Sequence, residues 1–320
     1  MSGAKWSRML DRSITVTGTL LCTATLVGYF GRASWMLELF SHFRPQYYVG
    51  LTILALISLM RRRLYATAIL TAFLLANAIS LAPHVFPQAV TEAADDTQTP
   101  LLRVSTVNLS ARNRQHDSIL QFIDHTDADL IIVQEMTPEW MQYLRAAGRK
   151  YAYSILLPRE DNFGLALYSR LPIVRSQTVT LGGFDNPAII ATIKWADTEF
   201  TIIGLHLYPP VSAELAAMRN TQLARLTEIA RALGSPLIIA GDFNSTPWSP
   251  HFRTFLQRAA LIPTSAVAGI AGTWPAWFAM LSIPIDHCLT SDHFDVVRQY
   301  VGPDVGSDHY PIVVDLRYPQ

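Results

Sequence analysis

Three apolar segments without a charged side chain, residues 13–30, 46–60 and 64–83, fill most of the N-terminal part of the chain, with lengths of 18, 15 and 20 residues. A helix that crosses the hydrocarbon core of a bilayer needs about 20 mostly apolar residues. The first and third segments are long enough. The second becomes so when the stretch at 45–48 lies in the headgroup layer. Trp6, Trp35, Tyr47 and Tyr48 stand near the predicted ends, where amphipathic rings favour the interface. None of the three has the polar face of a helix half-buried in a soluble domain. Residues 1–88 therefore read as an all-α transmembrane anchor of three helices.

Charge supports this division. The chain is 50% hydrophobic and 16% charged, against about 25% charged in ordinary soluble domains. The deficit lies in residues 1–88, which hold ten charged side chains. Residues 1–93 contain eight basic and three acidic groups, so of the 25 of each sign in the chain, 17 basic and 22 acidic remain in 94–320. That second part lacks the bulk basic footprint of a nucleic-acid binder. Cys22 lies in the first apolar segment and Cys288 deep in the second part. The two read as buried thiols and do not indicate a redox compartment.

Lys5, Arg8 and Arg12 precede the first span, and Arg61, Arg62 and Arg63 separate the second from the third. Both clusters fall on one side of a three-span arrangement, and positive flanks favour the cytoplasm. An odd number of spans sends the rest of the chain across. The expected location is an integral membrane protein of the bacterial inner membrane, with its second part on the periplasmic face. The first segment has a basic start and an apolar core, but Gly31-Arg32-Ala33-Ser34 is a poor signal-peptidase site and further apolar segments follow. Prolines at 83, 87 and 100 and a polar stretch at 91–99 predict a linker over 89–100.

From residue 101 the pattern changes to short β-rich runs at 101–108, 130–134, 164–168, 188–195, 200–207, 237–240, 285–290 and 312–316. Helical stretches at 115–125, 138–147 and 213–233 intervene, the last with Leu215, Met218, Leu223, Leu226, Ile229 and Leu233 at amphipathic spacing. The runs 188–195 and 200–207 read as a hairpin around Asp197. Two packed sheets flanked by helices accommodate this content.

Polar residues interrupt these apolar runs at their ends. Asn108 closes the first run, DLIIVQE carries Glu135, TIIGLH ends in His206, and LIIAGDFN ends in Asp242 and Asn244. Asp286 stands inside an apolar run, and GSDHYP, with Asp308 and His309, leads into IVVDL. Strand ends project side chains to a common rim. Carboxylates, a histidine pair and two carboxamides meeting there suit a hard divalent cation such as Mg²⁺, which takes oxygen ligands and keeps several waters.

The ordered set Asn108, QE at 134–135, His206, GDFN at 241–244, IDH at 285–287 and SDH at 307–309 resembles the endonuclease/exonuclease/phosphatase superfamily of deoxyribonuclease-I-like enzymes. NFGLALYSRLPI at 162–173 matches a structural segment of that family. The resemblance spans about residues 101–316. Together with the three-span anchor, GDFNSTPWSP resembles a membrane-attached bacterial branch.

The resemblance implies a four-layer α/β sandwich of two mixed β-sheets over residues 101–320, after the anchor and linker. It implies a Mg²⁺- or Mn²⁺-dependent hydrolase in which Glu135 holds the metal, with Asn108 and Asp308 as further direct or water-mediated ligands. Asp242 would position or deprotonate the attacking water, Asn244 would bond a phosphate oxygen, and His206 would donate to the phosphoryl or leaving oxygen. His309 would act on the phosphate, oriented by Asp286. The division of the base role between Asp242 and His309 stays open. Expected partners are a phosphate-ester substrate, nucleic acid or phospholipid, and the lipid bilayer; no obligate protein partner is implied. The alternative is a non-catalytic, membrane-tethered binding module that keeps the fold.

Taken singly, each residue has a structural explanation: Asn108 or Asp286 as turn formers, Ser307 as a cap, Glu135 beside a helix start capped by Thr137. His287 follows Asp286 on a strand and so faces the other way, a structural position. Tyr168, Ser169 and Arg170 read as scaffold, and His251 as a surface residue. Trp248 and GTWPAWF at 272–278, with Trp274 and Trp277, read either as core packing or as an apolar lip suited to a lipid-linked phosphate. Many relatives carry a basic residue shortly before the Asp286 position, where this chain has Ile283-Pro284-Ile285.

Overall fold

The computed structural model describes residues 3–85, 101–147, 150–183 and 185–318. The expected linker at 89–100 lies outside the described residues. The chain divides into two compact units. The first comprises residues 1–83 with Trp248–Pro250, and the second the remainder.

The first unit is helical: α1 (Gly3–Gly28), α2 (Trp35–Leu39), α3 (Arg44–Met60) and α4 (Leu64–Val85). The three long helices fall on the three apolar segments. Cys22, Leu51, Ala55 and Leu70 pack at their centre with Leu21, Leu54, Phe73 and Leu74. Val16, Leu20, Ile53, Leu56, Ile69 and Ile79 stay exposed, whereas Thr25, Ser58 and Asn77 are buried. Asn77 Nδ2 donates to Thr25 Oγ1 (2.9 Å). Among the described residues, α4 alone is long and apolar enough to cross a membrane, with a mean hydropathy of 1.8. By contrast α1 carries Lys5, Arg8, Asp11 and Arg12, and α3 has 17 residues. The two basic clusters do lie together. Arg61 Nε meets Asp11 Oδ1 at 2.7 Å, and Arg63 Nη2 donates to Thr15 Oγ1 at 2.9 Å. Trp248 is buried, its indole donating to His42 O (3.2 Å), which makes it a packing residue of this unit.

Among the described residues the second unit holds twelve strands: β1 (Leu102–Asn108), β2 (Leu130–Gln134), β3 (Tyr153–Leu157), β4 (Leu165–Ser169), β5 (Ile173–Thr180), β6 (Pro187–Trp195), β7 (Thr198–His206), β8 (Leu237–Asp242), β9 (Ile262–Pro263), β10 (Asp286–Thr290), β11 (Asp295–Val301) and β12 (Ile312–Arg317). Its helices are α5 (His116–Thr126), α6 (Pro138–Ala147), α7 (Ala213–Leu233), α8 (Pro250–Ala259) and the single turn α9 (Ser265–Ala268). The strands form two six-stranded sheets, ordered β11-β12-β1-β2-β4-β3 and β5-β6-β7-β8-β10-β9. Pairs β1–β2 and β7–β8 are parallel and the others antiparallel.

Side-chain alternation builds the layers. Leu130 and Ile132 of β2 face the opposite sheet, joining Ile202, Ile238 and Ala240, while Ile131 and Val133 meet Ile119, Phe122 and Trp140 of α5 and α6. On the other side, Ile203, Leu205 and Ile239 pack under Leu223 and Leu226 of α7 and under Phe252 and Phe255 of α8. A strand covered on both faces reads as an unbroken apolar run, which is why DLIIVQE stands out. The expected α/β sandwich of two mixed sheets between helices is present. So is the 188–207 hairpin, with Trp195 opposite Thr198.

In this unit four strands and one helix longer than a single turn have no counterpart in the sequence reading. The strands β3, β5, β9 and β11 are the four sheet edges. An edge strand is paired on one side and partly wet, so it lacks the apolar run: six of the eight residues in IVRSQTVT of β5 are exposed. The helix is α8, whose buried face rests on Phe252 and Phe255.

Candidate active site

Strand register assembles the site. In the second sheet Asp242 pairs with His206 of β7 on one side and with Asp286 of β10 on the other. In the first, Asn108 pairs with Gln134, which sets Glu135 one residue beyond the end of β2. Glu135 and Asn244 adopt left-handed backbone, φ 56° and 48°, a sparsely populated region for non-glycine residues that recurs at functional sites. Gly241 is required for a different reason. At φ 145° a Cβ there would lie 2.0 Å from the carbonyl oxygen of Leu205, so the GDFN motif needs glycine where β8 presses on β7. Gly164 is similar, with a Cβ falling 1.9 Å from Met136 O.

Asn108 joins the two sheets' contributions. Its Nδ2 donates to Glu135 Oε1 (3.2 Å) and Asp242 Oδ2 (3.3 Å), and its Oδ1 accepts from the Ser110 amide (2.9 Å). The side chain thus turns its amino group to the carboxylates and braces them. The Ala111 amide donates to Glu135 Oε2 (2.8 Å), and the Asn244 amide to Asp242 Oδ1 (2.8 Å). Asn244 Nδ2 donates to Leu207 O (2.9 Å).

His309 lies between two carboxylates, with Nδ1 2.9 Å from Asp286 Oδ2 and Nε2 3.8 Å from Asp242 Oδ2. His206 Nε2 stands 3.4 Å from the same Asp242 oxygen. Burial by itself would lower the proton affinity of His309. The Asp286 carboxylate outweighs it, aided by Asp242 and Asp308, and raises the pKa to about 10. His206 goes the other way: burial first, and then the positive His309, outweigh the nearby Asp286 charge and hold it down at about 4. The site thus pairs one imidazolium with one neutral imidazole. Burial pushes Glu135 up, and Asp242 well up, the latter helped by the neighbouring Asp286 charge.

The side chains that crowd these carboxylates supply too little positive charge for them, and the half-buried Asp308 keeps Oδ1 without a hydrogen-bond partner. A divalent cation suits that donor set, because hard oxygen ligands with surplus negative charge are what such an ion takes. Asp242, Asp286 and His309 also present atoms within 4.8 Å of one another. There the His309–Asp286 hydrogen bond occupies the facing atoms, so this trio reads as a charge-assisted dyad directed at Asp242.

Seven of the eight sequence-predicted residues meet in this network, Asn244 through its amide and a bond to Leu207 O; Asp308 adjoins His309 in the chain, and its Oδ2 accepts from Trp274 Nε1 (3.3 Å). His287 points away as expected, packing on Phe243 and Phe252 with Nε2 2.8 Å from Ser245 O. Several supports had no signal in the sequence. Buried Thr273 accepts the amides of Ile285 (3.2 Å) and Asp286 (3.3 Å) on its hydroxyl. Asn186 Nδ2 donates to His206 O (2.8 Å) and its Oδ1 accepts from Gln222 (2.6 Å). Phe163 packs on His206 with centroids 5.3 Å apart. Ser307 Oγ ties the SDH loop to β1 by donating to Asn108 O (2.7 Å). Thr273 and Asn186 lie in loops, where a lone hydroxyl or amide has no pattern to mark it.

Residues 105–309 match the Endonuclease/Exonuclease/phosphatase family, from within β1 to His309 itself. The chain belongs to this family. Among characterised relatives, Protein angel homolog 2 of Danio rerio is 24% identical over 206 residues, covering 55% of this chain and 36% of that protein, so the chain spans about a third of the relative's length. Three solved structures share the fold. A Bacteroides thetaiotaomicron family protein is 22% identical over 70% of this chain and all of that one, with a TM-score of 0.58. The human Nocturnin catalytic domain, solved with a bound sulfate anion, is 20% identical over 69% of this chain and 96% of that one, with a TM-score of 0.57. D. rerio TDP2, solved with a single-strand DNA product, is 13% identical over 68% of this chain and 99% of that one, with a TM-score of 0.56.

Proposed function

We propose that this chain is a membrane-anchored, divalent-metal-dependent phosphoesterase that cleaves a phosphodiester by attack of an activated water. The observation that carries the reading is the assembly around Asp242: two histidines, one charged and one neutral, on a buried carboxylate braced by Asn108. Glu135 and Asp308 would hold the metal, with Asn108 beside them, and a cation bound there would supply charge neutralisation and Lewis acidity at the phosphoryl oxygens. Asp242, whose proton affinity burial and Asp286 raise, takes the proton from the attacking water. His309, kept protonated by Asp286, donates to a phosphoryl oxygen, and neutral His206 donates a second hydrogen bond. Phosphoryl transfer asks for this combination of in-line positioning and charge stabilisation.

The anchor rests on α4, on the apolar outer faces of the helical unit, and on two basic clusters at one end. Three spans with those clusters in the cytoplasm set the second unit on the periplasmic side of a bacterial inner membrane. A nucleic acid and a lipid head group both fit the reaction. Assay of the full chain in detergent against bis-p-nitrophenyl phosphate, with Mg²⁺, Mn²⁺ or EDTA, tests it. Activity should vanish with EDTA and fall about 100-fold or more in Glu135→Gln, a loss of at least roughly 2.7 kcal/mol of transition-state stabilisation. Activity indifferent to both changes would refute the mechanism.

A further inference from the structure

Beside the site, five large apolar side chains reach solvent within eight residues: Trp274, Trp277, Phe278, Met280 and Leu281, with Trp277 79% and Met280 77% exposed. Soluble surfaces seldom gather apolar groups so tightly unless the patch binds something. This one is tied to the catalytic residues. Trp274 Nε1 donates to Asp308 Oδ2 (3.3 Å), the Ala276 amide to Asp308 O (2.8 Å), and Tyr310 hydroxyl to Ala276 O (2.9 Å). The base of the loop is closed by reciprocal backbone bonds between Trp274 and Ile283, and its neighbour Thr273 braces Asp286. Trp277 and Phe278 stack at 5.8 Å with planes 13° apart. The patch is therefore a fixed lip, bonded to the loop that carries Asp308 and His309.

Its chemistry selects the occupant. Residues 259–285 contain no charged side chain. A polynucleotide bound here would find aromatic faces for stacking but no cation on this segment for its backbone, and phosphate neutralisation dominates nucleic-acid affinity. Met280 and Leu281 offer a base nothing to stack on, yet both suit an alkyl chain. Resting on the phosphoesterase reading above, we propose that the substrate is a lipid-linked phosphate ester, whose alkyl chain lies on the lip while its phosphate enters the site.

The full chain in detergent with Mg²⁺, given p-nitrophenyl phosphodiesters bearing a methyl, octyl or hexadecyl group, provides the test. For the wild type, kcat/KM should rise at least tenfold from methyl to hexadecyl. In the double variant Trp277→Ser, Met280→Ser the rise should shrink below twofold, with methyl-ester turnover within twofold of wild type. A rise that survives in the double variant overturns the lip. So does a thymidine 5′-p-nitrophenyl phosphate preference that the double variant abolishes, which would make the lip a base-stacking surface. A second readout does not need turnover: bromine-labelled acyl chains of phosphatidylglycerol should quench wild-type tryptophan fluorescence more than that of Trp277→Phe. Equal quenching counts against the lip. Failure to cleave even the methyl ester, with quenching present, strikes the phosphoesterase reading and leaves the lip standing.

Discussion

His309 owes its protonation to its neighbours, and the consequence is measurable at that one side chain. Its pKa of about 10 reflects Asp286 and Asp242 outweighing the cost of burial. A folded-state pKa above the unfolded value of about 6.5 means that the His309 contribution to stability is complete below that pH and is lost as pH rises through about 10. In metal-free protein observed by NMR, the His309 ring should remain charged well above neutrality. In Asp286→Asn its titration should fall by several units, and an unchanged midpoint would show that Asp286 is not the cause. His287 behaves oppositely. Burial holds it at about 4, so between about pH 6.5 and 4 the unfolded chain binds the extra proton and stability falls with pH. His287→Gln, which keeps a donor toward Ser245 O, should flatten that acid slope in a series of urea midpoints.

At the scale of elements, the site depends on three adjacent strands keeping register. Asp242 can face both His206 and Asp286 only because β8 lies between β7, parallel, and β10, antiparallel. A one-residue slip in either pair would turn the facing side chain to the opposite side of the sheet. Gly241 is where that register is tightest. Gly241→Ala sets a methyl group against Leu205 O at 2.0 Å on backbone of φ 145°. The expected cost is roughly 3 kcal/mol, read as a melting temperature about 6–12 °C lower. A shift under a degree or two would show that β7 and β8 part easily. The eight strands legible in the sequence are the interior ones, and the four that were not are the edges. Burial on both sides writes a strand into the sequence, and half-exposure erases it.

For the whole molecule, the helical unit turns apolar side chains outward and buries Asn77 and Thr25, and the proposed anchor accounts for that arrangement. Full-length protein should stay with the membrane fraction through an alkaline carbonate wash; recovery in the supernatant would remove the anchor. The second unit has the ordinary arrangement, with three apolar clusters lying between its sheets and beneath its helices. The two units also differ in charge content: residues 1–88 hold ten charged side chains, whereas 94–320 hold 17 basic and 22 acidic ones.

The amino-acid order by itself determined the class of fold and the interior strands, and it singled out eight candidate site residues, because a polar group at the end of, or within, an apolar run stands out. Tertiary structure alone decided which of them meet. Asn108 bridging Glu135 and Asp242, His309 between two carboxylates, and Thr273 beneath Asp286 join positions from 13 to 134 apart. Such contacts depend on strand register and left-handed turns, and neither writes a periodic pattern into the chain. The exposure of Trp277 was undecidable for the same reason: an apolar residue in a loop reads alike whether it faces the core or the solvent, and the fold turned it outward.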